Sequence, residues 1–123
     1  MDKLRKKISF IISLERDIYI LKSCYVFEDE KAVINHVKSN PHLIRILQGI
    51  SANILNHFQK DDTLALGVFK DPEDPEPEYI VIKIITSPQT EDPFENLQAF
   101  MEDWYYDNVD YLHVNIIFDF DYK

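Results

Sequence analysis

Near Phe58 the hydrophobic pattern changes period, and this constrains the fold more than any other feature. Before it, apolar residues recur every three or four positions, as on one face of a helix. Leu43, Leu47, Ile50, Ile54 and Phe58 form the clearest such stripe, widened by Ile44, Ile46 and Leu55. After it, they alternate. "TLALGVF" (63–69) sets Leu64, Leu66 and Val68 against Ala65, Gly67 and Phe69. "EYIVIKIIT" (78–86) sets Ile80, Ile82 and Ile84 against Tyr79, Val81, Lys83 and Ile85. "YLHVNIIFDF" (111–120) sets Leu112, Val114, Ile116, Phe118 and Phe120 against His113, Asn115 and Asp119, the pattern of a one-sided antiparallel strand.

Helix boundaries follow from capping chemistry. Residues 2–22 carry helical spacing without Gly or Pro, although β-branched and aromatic residues over 18–27 offer a competing strand. "EDEKAVINHVKSN" leads with carboxylates and closes near Lys38, which suits the helix dipole. Asn40 before Pro41 predicts an N-cap and a first helical position. Asp92, Pro93 and Glu95 predict another capped start. Between the first two strands, Pro72, Pro75 and Pro77 cannot donate to a ladder and stiffen a charged hairpin connection. The element order predicts one α+β domain over 1–123: a three-stranded antiparallel sheet, order 2-1-3, with three to four helices on one face. Residues 1–25 form a helix expected at the periphery or in self-association, and open sheet edges make a homodimer plausible.

Composition narrows the function classes. The chain has 123 residues, a size suited to a single domain. Two glycines, Gly49 and Gly67, leave no Gly-rich phosphate cradle. Cys24 is the one cysteine, so an intrachain disulfide is impossible; a buried, reduced thiol in a cytoplasmic protein is expected. The apolar run "ISFIISL" is too short for a membrane span and lacks a small-residue cleavage site. The net charge of -9 is unevenly spread. Residues 1–60 carry ten Lys/Arg against six Asp/Glu, and residues 61–123 carry three against sixteen. "KLRKK" at the start is too short to establish nucleic-acid binding, and the acidic remainder repels phosphates.

Two clusters stand out as candidate sites. Asp71, Glu73, Asp74 and Glu76, with Glu78, are oxygen donors, but the stiff prolines and the missing Gly bend argue against a metal loop. The four histidines, His36, His42, His57 and His113, lack zinc-ligand spacing and are expected at the surface. "MEDWYYDN" places Trp104, Tyr105 and Tyr106 among carboxylates. Trp104 continues the core stripe, while Tyr105 and Tyr106 are expected to lie partly outside, as at an interface hot spot.

"NPHLIRIL", "LALGVFKDPEDPEPEYIVIKIIT" and "EDWYYDN" together resemble a family of small bacterial proteins of unassigned function. The matching positions are Asn40, Pro41, Asp71, Pro72, Glu73 and Trp104, over roughly residues 30–120. Where many members carry paired tryptophans, this chain has Trp104-Tyr105. The resemblance implies an α+β domain and no activity.

The sequence therefore points to a non-enzymatic interaction module, antitoxin-like or an adaptor. Its acidic half, with Asp71, Glu73, Asp74, Glu76, Trp104, Tyr105 and Tyr106, would meet a basic protein partner. No catalytic residue, metal or cofactor is expected. Two weaker readings are a small enzyme using Asp71, Glu73 or His113 as acid or base, and a nucleic-acid binder through Lys3, Arg5, Lys6 and Lys7.

Overall fold

The computed structural model describes residues 2–70, 72–73 and 78–123. Helix α1 (Asp2–Cys24) leads into a two-residue strand, β1 (Val26–Phe27). Helices α2 (Glu30–Ser39) and α3 (His42–Ile54) follow. Strands β2 (Thr63–Phe69) and β3 (Tyr79–Thr86) come next, then helix α4 (Pro93–Phe100) and strand β4 (Ile116–Tyr122).

The strands form one mixed sheet in the order β1-β2-β3-β4. This corrects the expected three-stranded antiparallel sheet of order 2-1-3. β2 and β3 are an antiparallel hairpin, Leu66 opposite Ile82. β4, however, runs parallel to β3, Ile82 opposite Phe118, rather than beside β2. β1 already occupies the far edge of β2, parallel to it at Ala65 and Leu66. The third long strand is left with the edge of β3, and α4 supplies the long crossover that a parallel pair requires.

One face of the sheet makes the core. Leu64, Leu66, Ile80, Ile82 and Ile84 are fully buried with Val33, Val37, Leu47, Ile50 and Ile54 from the helices. Alternation puts Phe69, Ile117 and Asp119 on the other face, where they are exposed. The end of α1 belongs to the core, so this helix is not peripheral throughout. Ile18 and Leu21 are buried, while Ile11, Ile12 and Tyr19 are exposed. Helix wins over the competing strand up to Cys24, and only Val26–Phe27 pairs as strand. Cys24 is half-buried against the core rather than sealed within it.

Two caps differ in detail. Asp92 caps α4 as expected, its Oδ1 accepting from Glu95 N at 3.0 Å. Asn40 does not cap α3. It closes α2: its Nδ2 and its backbone N–H both donate to the His36 carbonyl. The last strand is also shorter than its alternation suggests. Asp110–Leu112 is a 3₁₀ turn, and His113 sits in a left-handed conformation (φ 54°, ψ 41°) before the chain enters β4.

At the far end of the sheet, buried Asp62 ties three segments together. Its Oδ2 accepts from Gln59 N and from Thr86 Oγ1, both at 3.0 Å, and Lys123 Nζ stands 3.6 Å from Oδ1.

Candidate functional site: a groove beside the last strand

Helix α4 does not end at Phe100 but runs on through a π turn, Met101–Tyr105, into a last helical turn at Tyr106–Asn108. The Tyr106 N–H reaches back to the Met101 carbonyl, so one extra residue is wound into the turn. This shifts the helical phase and brings two consecutive aromatics inward. Trp104 stacks on Phe100 (5.9 Å between centroids), and Tyr105 meets the same ring at 6.2 Å. Tyr105 also packs edge-on against Phe118 of β4 at 5.4 Å.

The expectation for this cluster is therefore corrected at one residue. Tyr105 is buried, 8% exposed, whereas Tyr106 is exposed. Burial first, and the nearby Asp110 carboxylate second, hold the Tyr105 hydroxyl above the ordinary tyrosine range. Trp104 is half-buried and leans over Gly49 of α3.

Between α4 and β4 lies a groove of 510 Å³. Phe94, Leu97, Met101, Val114, Ile116 and Phe118 give it apolar walls, and Gln98, Tyr105, Tyr106 and Asp110 make the rest of the lining polar. Phe94 is 70% exposed, unusual for a large apolar side chain, and packs at 4.9 Å on Phe120. Asp110 is the charged residue of its lining. From Ile84 to Tyr122 the chain has nine Asp/Glu and no Lys or Arg.

The outer edge of β4 borders the groove and is blunted. Asn115 O accepts from Ile80 N, so odd-numbered residues of β4 turn their backbone groups toward β3 and even-numbered ones turn outward. Two of the outward donors are already held: Phe120 N by Asp119 Oδ1 and Tyr122 N by Asp121 Oδ1, each at 2.9 Å. An incoming strand would have to displace both carboxylates.

The other sequence-predicted residues lie elsewhere. Asp71, Asp74 and Glu76 fall outside the described residues. Glu73 is exposed in the β2–β3 connection. His36 is not a surface histidine. Its side chain is 9% exposed, with Nδ1 3.1 Å from Glu78 Oε2. His57 is half-buried, 3.2 Å from Asp103. Among the described residues, no three His, Cys, Asp or Glu converge on a point where a metal could bind. Among the described residues, no helix is long and apolar enough to cross a membrane. The groove itself had one sequence signal, the exposed aromatics at 104–106; Phe94 and Met101 had none, because their stripe reads equally as core.

No protein-family model, curated protein or solved structure matches the chain.

Proposed function

We propose that the protein is a non-enzymatic interaction module, and that its α4–β4 groove takes a basic amphipathic helix from a partner protein. The groove carries this reading: apolar walls beside exposed Phe94 and Tyr106, the Asp110 carboxylate in the lining, and a segment from Ile84 to Tyr122 with nine carboxylates and no Lys or Arg. Apolar anchors supply most of the affinity at such a surface, and the charge around them orients and speeds the encounter. Met101 gives the lining a side chain that adapts to the occupant. The held donors of β4 favour a helix over an added strand, since a helix satisfies its own backbone. The carboxylates of the β2–β3 connection, Asp71, Glu73, Asp74 and Glu76, add to the same acidic half.

The test is capture by immobilised protein from the native cell, at low salt and again at roughly 1 M salt, where screening reaches ~3 Å. Phe94→Asp and Tyr106→Asp proteins are run in parallel, both changes being at exposed positions. A basic partner retained at low salt, released at high salt and lost with either variant is the expected result. Absence of any basic partner at low salt, or retention indifferent to both variants, contradicts the proposal.

A further inference from the structure

A second concavity adjoins the groove at Val114 and has a different chemistry. It is a cleft of 410 Å³ where five segments meet. The end of α2 contributes His36 and Asn40, and the start of α3 contributes His42. Lys70 follows β2, Glu78 precedes β3, and His113 and Asn115 precede β4. Three imidazoles, an ammonium and two amides thus converge from parts of the chain far apart in sequence.

Among the described residues that line it, the single carboxylate is already engaged. Glu78 Oε2 is 3.1 Å from His36 Nδ1, and Oε1 is 3.7 Å from Lys70 Nζ. Asn40 spends one amide N–H on the His36 carbonyl, which leaves the other. Helix α3 opens onto the cleft with no acidic residue in its first turn, so its positive end is not neutralised there. His113 is held with φ 54°, one of three non-glycine residues with positive φ among those described. Such a conformation costs free energy for a side chain with a Cβ, and it is found where the surrounding structure requires it.

We infer that this cleft binds a small oxyanion, the phosphate or carboxylate group of a small molecule. His42, His113 and Lys70 supply its cationic contacts, and Asn40 and Asn115 its amide donors. Glu78 stays with His36 and orients that imidazole rather than repelling the ligand. Among the described residues, the titratable groups facing the cleft are His36 from α2, His42 from α3, Lys70 after β2, Glu78 before β3 and His113 before β4. Of these, Lys70 and Glu78 carry opposite charges, and histidine is the residue class that changes charge across pH 5–8. Binding therefore tightens as the pH falls. The cleft meets the α4–β4 groove at Val114, but none of its polar groups lines that groove, and the inference does not depend on the reading of the groove.

Backbone-amide NMR titration of the full chain tests this, with inorganic phosphate and with acetate as probes, near pH 5.5 and pH 8. Acetate keeps its charge over that interval, so a pH effect with acetate belongs to the protein. Saturable shifts at Asn40, His42, His113 and Asn115, with a dissociation constant at least about tenfold lower at the acid pH, are expected; tenfold corresponds to 1.4 kcal/mol. His113→Gly suits the left-handed backbone, so it should fold with an unchanged or higher melting temperature and bind acetate several-fold more weakly. Lys70→Met, at an exposed position, should weaken both probes. Shifts that do not saturate, that are equal at both pH values, or that fall on the first turns of α1 instead of the cleft overturn the inference. So does a His113→Gly protein that folds and binds like its parent.

Discussion

A Cβ built on Gly49 in α3 would stand 2.8 Å from Trp104 Cη2 and 3.0 Å from Cζ2. Gly to Ala in a helix interior ordinarily gains about 1 kcal/mol. Here the indole would have to move from its stack on Phe100, and overpacking of this kind costs about 1–3 kcal/mol. Gly49→Ala is therefore expected to lower the urea midpoint, and a raised midpoint would show that Trp104 moves freely. Tyr25 offers a second residue-scale test. Its buried hydroxyl donates to the Leu47 carbonyl at 2.6 Å. Burial first, and neighbouring Cys24 second, push its ionisation far above the ordinary tyrosine value of about 10. A raised pKa on a group that is neutral when protonated contributes stability that is full below the unfolded value. It is lost as the pH rises above that value, because the unfolded chain then releases a proton that the folded one keeps. Tyr25→Phe should cost about 1 kcal/mol at neutral pH. It should also make denaturation midpoints above pH 10 fall less steeply than in the parent; parallel curves would contradict this account of Tyr25.

Among the elements, β4 is the one whose placement decides the surface. If Asp119 and Asp121 hold the outward donors of Phe120 and Tyr122, the double variant Asp119→Ala, Asp121→Ala frees them and removes two charges from the edge. Concentration-dependent self-association in sedimentation velocity is expected of the variant under conditions where the parent associates less. Identical behaviour would show that the caps do not guard the edge. The strands themselves were legible. Leu64 to Val68 and Ile80 to Ile84 alternate over their full length, and a pleated ribbon with one buried face forces that pattern. Their partners were not, because alternation records which face is buried and not whether a neighbour runs parallel. β1 was only part of a competing strand read over 18–27, and its two residues, Val26 and Phe27, leave no period that would fix its bounds. Asn40 before Pro41 matched a start signal, yet its side chain serves the helix before it, since a carbonyl of the preceding turn lay within reach. The π turn at Met101–Tyr105 had no sequence mark, and it alone turns Tyr105 inward and leaves Tyr106 outside.

For the molecule as a whole, the sequence carried the charge split. The acidic half folds as the β2–β3 hairpin, α4 and β4; of its carboxylates Asp110 lines the groove, while Asp119 lies on the opposite, exposed face of the sheet. The cleft of three histidines lies at the start of β4, next to the groove, a convergence hidden in sequence because His36, His42 and His113 come from separate segments. The central claim is that α4 and β4 form the docking surface. Hydrogen exchange on the protein with and without its captured partner tests it most directly. Slowed exchange confined to residues 94–106 and 116–122, with Val26–Phe27 and the His36–Asn40 end unchanged, is the predicted footprint. Protection centred on the exposed sheet face at Phe69 and Ile117, with α4 unaffected, would contradict it.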